Sequence, residues 1–170
     1  LASTRSRGES RARFTTRANA SAQRMPNHRV FVYGSLLRGL HNHHLLQTAK
    51  LTRAPANTAA AEFVLVDSGS GYPFALAADR ARASDARTPS VLLGEVYEVN
   101  DATLAQLDTL ECHPDWYRRQ LTDIEGDEPA WIYLMEDEAQ CAAIRGDPTR
   151  FPAVAVPGDW RSHLGRTAGS

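Results

Sequence analysis

The chain has 170 residues, which is enough for one domain with a buried core and too few for two full ones. Hydrophobic residues make up 42% and charged residues 23%, and no apolar run approaches the roughly 20 residues that a membrane-spanning helix needs. Cys112 and Cys141 lie far apart without a CxxC pattern. That spacing excludes a disulfide framework and a cysteine zinc site, and it suits a reducing compartment.

The net charge of −1 hides two regions of opposite sign. Residues 1–25 hold six Arg and one Glu, a net charge of +5, which leaves −6 for the rest of the chain. An acidic body disfavours nucleic acid as a partner. The basic segment is rich in Arg, Ser, Thr and Ala and has no hydrophobic stretch, which is typical of an organelle transit peptide or of a disordered basic tail. We expect a plastid or mitochondrial location in the first case and a cytoplasmic location in the second.

The expected organisation is a basic tail over residues 1–27, one folded domain over residues 28–164 and a flexible tail over residues 165–170. Residues 29–33 are apolar, β-branched and aromatic, which predicts a buried strand that ends in a turn at Gly34. Residues 36–50 are rich in histidine and predict a loop that leads into a brief helix.

Further apolar runs with strand character follow, each bounded by turn residues or polar residues. They are residues 62–66, 72–76, 91–99, 117–121 and 130–135.

Gly94 lies inside the third of these runs, which predicts a bulge or a close approach of another backbone.

Asn100 or Asp101 can cap a helix whose leucines at 104, 107 and 110 form one buried stripe. Residues 136–150 predict a loop or weak helix, and residues 151–160 a short extended piece. Because strands and helices do not alternate, we expect an α+β fold: a small, mixed, strongly curved or closed sheet with helices outside.

The turn that follows the first strand is a candidate binding element. Successive backbone N–H groups of Gly34, Ser35 and Leu36 can point at one anion, although an ordinary tight turn is the simpler interpretation. A nucleophilic role for Ser35 is disfavoured because the surrounding residues do not form a GxSxG elbow.

Two other groups of residues suggest chemistry less strongly. His41, His43 and His44 invite a metal hypothesis, but no Asp, Glu or Cys lies nearby at ligand spacing. Cys112 and His113 are sequence neighbours, whereas catalytic thiol–imidazole pairs normally meet through the fold. We therefore disfavour a metal site at these histidines and a thiol nucleophile at Cys112.

Glu111 is the most informative carboxylate because it ends the predicted helix, where the helix dipole disfavours a negative charge. One interpretation is a half-exposed side chain paired with Arg118 or Arg119. The other is a general base whose pKa is raised by the apolar stripe and by Trp116, as catalysis near neutral pH requires.

Two motifs, taken together, carry a resemblance to a known family. Residues 32–36 (VYGSL) close the first strand, and residues 107–111 (LDTLE) follow some seventy residues later, with Pro114, Tyr117 and Arg119 behind them. The chain resembles the gamma-glutamylcyclotransferase-like family, also called AIG2-like, over residues 29 to about 162. The match also takes in Asn42 and the segments 71–73, 94–97, 131–133 and 158–160.

The resemblance implies a small six-stranded barrel flanked by short helices and a cofactor-independent, metal-free enzyme. The implied partner is a small-molecule γ-glutamyl amine or peptide, whose γ-glutamyl group is cyclised to 5-oxoproline; we expect a monomer or weak homodimer. Glu111 then corresponds to the general acid/base, and Tyr33, Gly34, Ser35, Leu36 and Tyr117 correspond to the substrate-binding residues. Arg119 is expected to have a structural role near the site.

The sequence also departs from the family pattern in one place. Many members have Gly after the Glu, where this chain has Cys112, so a positive φ there would cost about 1–2 kcal/mol. The alternative function is a non-catalytic module that binds a small carboxylate or a peptide in the same pocket.

Overall fold

The computed structural model describes residues 27–81 and 87–167, so the predicted basic tail lies almost entirely outside the described residues. In these two ranges seven strands, four α-helices and one 3-10 helix follow one another along the chain. The strands are β1 (His28–Val32), β2 (Lys50–Asn57), β3 (Phe63–Asp67), β4 (Pro73–Ala77), β5 (Leu93–Val99), β6 (Tyr117–Thr122) and β7 (Ala130–Met135). The helices are the 3-10 helix (His41–Leu46), α1 (Ala78–Ala81), α2 (Asp101–Leu110), α3 (Glu138–Gly146) and α4 (Trp160–Thr167).

Five strands form one mixed sheet in the order β2-β5-β1-β7-β6, and β3 pairs with β4 in a second, two-stranded sheet. The central strand β1 runs antiparallel to β5 and parallel to β7. Apolar side chains of both sheets share the core, since Phe31 of β1, Leu65 of β3 and Ala75 of β4 belong to one buried cluster. The prediction of a mixed α+β fold with short helices is confirmed.

The structure has one strand more than the six that the sequence predicts, and this additional strand is β2. It lies at one edge of the large sheet and pairs with β5 through two register shifts, one before Arg53 and one between Arg53 and Ala56. It also contains Pro55, which cannot donate a ladder hydrogen bond and is tolerated at such an edge. The bulges explain why β2 lacks the alternating pattern that identifies a strand.

The predicted helix after β5 is present as α2, and its first turn is capped as expected. The Asn100 side chain accepts a hydrogen bond of 2.8 Å from the Thr103 N–H. Leu104 and Leu107 are buried against the core, and Leu110 packs at its margin. The α2 helix is thereby fixed against the sheet, and the orientation of its last turn follows from that packing.

Gly94 fulfils the predicted close approach. A Cβ atom at this position of β5 would overlap the carbonyl oxygen of Val32 and meet the Phe31 ring. The absence of a side chain therefore lets β5 approach the end of β1, just before the turn at Gly34.

The C-terminal part agrees with the sequence prediction only in part, since a helix was one of the two alternatives for residues 136–150. The α3 helix occupies the middle of the segment 136–150, and residues 151–159 form a turn-rich connection with one bridge, Val66 to Ala153. The α4 helix was not predicted and runs to Thr167, three residues into the segment expected to be a flexible tail. None of the helices within residues 27–81 and 87–167 has the length and apolar character needed to cross a bilayer.

Candidate active site

A cavity of about 230 Å³ opens where β1 ends and α2 ends. Most of its surface is aromatic or aliphatic, and Glu111 is the one charged residue among the residues that line it. The lining consists of Phe31, Val32, Tyr33, Gly34, Ser35, Leu36, Asn42, Tyr72, Pro73, Leu110, Glu111, Trp116, Tyr117 and Tyr133. All six residues predicted to be catalytic or substrate-binding are in this set.

The end of α2 determines where Glu111 lies. The Cys112 N–H donates to the Thr109 carbonyl oxygen at 3.2 Å, and the His113 N–H donates to the Asp108 carbonyl oxygen at 2.9 Å. These two bonds form a Schellman motif, with Glu111 as the C-cap residue and Cys112 in the position after it. Cys112 has φ +50°, a conformation that Gly adopts freely and that costs other residues about 1–2 kcal/mol.

The Glu111 carboxyl group is partly buried and has no polar partner in the described part of the chain. No side chain or backbone group within residues 27–81 and 87–167 donates a hydrogen bond to it or pairs with it. Arg118 is exposed, and Arg119 pairs with Asp108 instead. Burial raises the pKa of Glu111 from its ordinary value of 4.5 to about 7. The hypothesis of an ion pair to Arg118 or Arg119 is therefore wrong.

The turn after β1 carries unused backbone donors. Gly34, Ser35 and Leu36 line the same cavity, and their N–H groups donate to no acceptor in the described ranges. Asn42 holds this turn, because its N–H donates to the Ser35 carbonyl oxygen at 3.1 Å and its Nδ2 to the Ser35 Oγ at 2.9 Å. Three consecutive free amides beside a cavity are the arrangement that binds a carboxylate or an oxyanion.

Two buried tyrosines brace the cavity. The Tyr33 hydroxyl donates to the Tyr133 carbonyl oxygen at 2.6 Å, and the Tyr117 hydroxyl donates to the Pro73 carbonyl oxygen at 3.3 Å. Burial, with a smaller contribution from the nearby Glu111 charge, raises the pKa of both phenols. Both therefore stay neutral at physiological pH and act as donors.

Arg119 lies outside the lining and contacts residues around it. Its Nη1 donates to both carboxylate oxygens of Asp108, at 2.8 and 2.9 Å, and its guanidinium stacks over the Trp131 ring at 5.1 Å from the centroid. The Arg119 N–H donates to Nδ1 of His113 at 3.2 Å. These contacts tie β6 to the end of α2.

The histidine and cysteine hypotheses find no geometric support. Nδ1 of His43 lies 3.0 Å from the Leu36 carbonyl oxygen, and Nδ1 of His44 lies 2.9 Å from the His41 carbonyl oxygen. No cluster of three potential metal ligands occurs in the described residues. Cys112 is exposed, and the His113 ring is engaged by Arg119 rather than by the thiol.

Several lining residues were not predicted individually, although the sequence held signals for some of them. Tyr72 begins the run 72–76, Trp116 directly precedes the run 117–121 and Tyr133 lies inside the run 130–135. Aromatic side chains commonly line ligand pockets. Asn42 follows Ser35 by seven residues, a spacing that fits no regular element, so its contact with Ser35 could not be predicted without the folded loop. Asp108 precedes Glu111 by one helical turn, so its proximity could be expected from the helix, whereas its partners could not.

A model of the family described as "Gamma-glutamyl cyclotransferase, AIG2-like" matches residues 30–162. A Methanocaldococcus jannaschii protein provisionally named as a gamma-glutamylcyclotransferase is 32% identical over 124 residues, covering 69% of this chain and 92% of that protein. Gamma-glutamylaminecyclotransferase C of Danio rerio is 34% identical over 105 residues, covering 59% of this chain and 64% of that protein. The crystal structure of a mouse AIG2-like protein aligns with a TM-score of 0.52 and 28% identity, covering 64% of this chain and 77% of that chain.

Proposed function

Because the chain belongs to the gamma-glutamyl cyclotransferase, AIG2-like family, we propose that it converts a γ-glutamyl amine or γ-glutamyl peptide into 5-oxoproline and a free amine. Two relatives support γ-glutamyl amides as substrates. One is the Danio rerio protein named for gamma-glutamylamines, and the other is a Niallia circulans protein named for gamma-L-glutamyl-butirosin B, 38% identical over 87 residues, which cover 51% of this chain and 46% of that protein.

The observation that carries the proposal is the placement of Glu111. An unpaired carboxyl group with a pKa of about 7 lines the same cavity as three free backbone amides. A general base that works near neutral pH needs this pKa, and a substrate with a free carboxylate needs those donors. A carboxylate used only for stability would instead be paired.

The reaction is an intramolecular aminolysis. The amides of Gly34–Leu36 hold the α-carboxylate of the γ-glutamyl group, and Glu111 takes a proton from its α-ammonium group. The free amine then attacks the γ-carbonyl carbon and forms the ring C–N bond. Glu111 passes this first proton to the leaving nitrogen as the original amide bond breaks. The ring nitrogen gives up a second proton, which the departing amine takes, so the products are 5-oxoproline with one ring N–H and an ammonium ion.

Much of the rate enhancement comes from conformation, because nucleophile and electrophile belong to one molecule. Holding reacting groups in a near-attack geometry can supply about 7–11 kcal/mol of the barrier reduction. The aromatic wall of Tyr72, Trp116, Tyr117 and Tyr133 is suited to this task, since it leaves limited space for an extended γ-glutamyl chain. Proton transfer by Glu111 contributes a further factor of about 10²–10⁴.

The test is a substrate panel with mass-spectrometric detection of 5-oxoproline. The purified protein is incubated with γ-glutamyl amines, γ-glutamyl amino acids and glutathione, beside the variants Glu111→Gln and Asp115→Asn. We expect product with at least one amide, a loss of about 10²–10⁴ in kcat for Glu111→Gln and little change for Asp115→Asn. Asp115 is the matched control because it is exposed, lies four residues away and does not line the cavity.

The same variants separate catalysis from simple binding. Glu111→Gln keeps the size and the amide face of the cavity, so it should still bind a γ-glutamyl amide in a calorimetric titration. If wild type and Glu111→Gln bind such amides equally and neither forms 5-oxoproline, the non-catalytic binding module is the correct function.

A further inference from the structure

Asp108 belongs to a hydrogen-bonded network that touches both walls of the cavity, although its own side chain does not line it. We propose that Asp108 is a positioning residue, which holds the Glu111 carboxylate at a fixed place relative to the free amides of Gly34–Leu36. The inference rests on the proposed function and adds to it the group that orients the base.

The first link joins the end of α2 to the sheet. Asp108 precedes Glu111 by three residues, so both side chains project from the last turn of α2. Its carboxylate accepts two hydrogen bonds from Arg119 of β6, at 2.8 and 2.9 Å, and one from the Tyr133 hydroxyl of β7, at 2.6 Å. Three elements therefore meet at one carboxylate, and the helix turn that carries Glu111 cannot rotate without breaking them.

The second link continues from Tyr133 to the amide wall. The Tyr133 side chain binds Asp108, while its carbonyl oxygen accepts the Tyr33 hydroxyl at 2.6 Å. Tyr33 directly precedes Gly34, the first of the three free amides. Tyr133 thus links Asp108 to Tyr33 by two separate hydrogen bonds, one through its hydroxyl and one through its backbone carbonyl, and both tyrosines line the cavity.

The network is also balanced in charge beside Glu111. The Asp108 carboxylate is partly exposed and is neutralised by Arg119, whose guanidinium also stacks over the Trp131 ring. Tyr33 and Tyr117 lie near Glu111, and both phenols remain neutral because burial, together with the Glu111 charge, raises the pKa of each. Removing Asp108 leaves a positive charge near Glu111, and removing Arg119 leaves a negative one.

Because of this charge balance, substitutions at Asp108 and Arg119 should change the pKa of Glu111, which a purely structural role of Asp108 would not predict. Side chains three residues apart on a helix have Cβ atoms about 5–6 Å apart, and an uncompensated charge at that range shifts a half-buried carboxyl by about half a pH unit or more. The Asp108→Asn variant should lower the pKa of Glu111, and Arg119→Met should raise it. The double variant should return it towards the wild-type value.

The experiment measures the Glu111 pKa by NMR titration of protein labelled with ¹³C at the glutamate side-chain carboxyl, with Glu111→Gln to assign the signal. The kinetics are measured with the best γ-glutamyl amide from the panel. We expect opposite shifts in the two single variants, a roughly tenfold or greater loss of kcat in Asp108→Asn and a KM within about threefold of wild type. Asp101→Asn, which removes a carboxylate from the first turn of α2, is the control and should change neither quantity.

A milder variant separates position from charge and guards against unfolding. Arg119→Lys keeps the positive charge but loses the two-point contact with Asp108, so it should leave the Glu111 pKa near wild type while kcat falls several-fold. Parallel or absent pKa shifts in the single variants, or an unchanged kcat in both Asp108→Asn and Arg119→Lys, would overturn the proposal. If the wild type forms no 5-oxoproline from any amide, the proposed function fails, whereas opposite shifts in the titration still show the charge coupling.

Discussion

Two glutamates illustrate what the partners of a buried carboxylate decide. Glu95 on β5 is 6% exposed and accepts hydrogen bonds from the Arg38 N–H at 3.0 Å, the Tyr97 hydroxyl at 2.8 Å and the Arg161 Nη2 at 3.5 Å. Glu111 at the end of α2 is partly buried and has no such donor among residues 27–81 and 87–167. Full pairing makes the first carboxylate part of the scaffold, and the lack of pairing leaves the second free to exchange a proton.

The largest expected effect tests whether Glu111 is the group that titrates. A base with a pKa of about 7 must lose its proton before it can act, so kcat/KM should fall about fiftyfold between pH 7 and pH 5, with a slope that approaches tenfold per pH unit. The measurement is a pH–rate profile from pH 5 to pH 9 in buffers of constant ionic strength. A flat profile between pH 5 and pH 7 would contradict the assignment of Glu111 as the base.

The second prediction concerns the stability supplied by Glu95. Glu95→Gln leaves Arg38 and Arg161 with a weaker acceptor, and since both arginines are about half exposed we expect a loss of about 2–3 kcal/mol in the free energy of unfolding. Urea denaturation measures it. The control is Glu98→Gln on the same strand, whose pairing with the exposed Lys50 is worth about 0.5 kcal/mol or less. Equal effects of the two variants would remove the distinction between Glu95 and an ordinary surface carboxylate.

The third prediction is that Glu111→Gln, unlike Glu95→Gln, stabilises the folded protein at high pH. The folded-state pKa of about 7 lies above the unfolded value, so the folded protein binds this proton more tightly, and the associated stability is present below pH 4.5 and lost as pH rises through 7. Above pH 7 the folded state must hold a buried, unpaired charge. Glu111→Gln should therefore raise the free energy of unfolding by about 2 kcal/mol at pH 8 and change it little at pH 4.5, as denaturation at the two pH values would show. A destabilising effect at pH 8 would mean that Glu111 is paired.

The smallest expected effect lies one residue beyond the base. Cys112 has φ +50° in the position of the Schellman motif that Gly normally occupies. Cys112→Gly should raise the free energy of unfolding by about 1 kcal/mol, whereas Cys112→Ala keeps the strain and should change it by less than about 0.5 kcal/mol. Thermal denaturation of both variants checks this, and equal stabilities would show that the helix end relaxes around Cys112.

The regular elements next to the site could be predicted because local signals define them. The apolar run of β1, the Asn100 cap and the leucines at 104 and 107 depend on residues within a few positions of one another. The position of Glu111 at the helix end followed from the same pattern. Its proximity to the turn at Gly34 followed only from the family resemblance, because the two motifs meet across the fold.

The remaining features depend on contacts between distant residues. The edge strand β2 is recognised by its partner β5, since its own sequence contains Pro55 and two bulges. Burial of Glu95 depends on hydrogen bonds from Arg38 and Arg161, which lie 57 and 66 residues away in sequence. The helix α4 is short and mostly polar, and its burial of Trp160 and His163 becomes visible only with the rest of the core in place.

Gly94 has a practical consequence for anyone who wishes to change the range of substrates. Libraries that randomise residues near the cavity would naturally include β5, yet any side chain at Gly94 would push against Val32 and Phe31, which form part of the cavity wall. Such variants would lose activity because the cavity wall is distorted, and this loss would give no information about substrate specificity. Diversity is better placed at Tyr72 and Trp116, whose partly exposed rings can change size without moving the backbone that carries the amides.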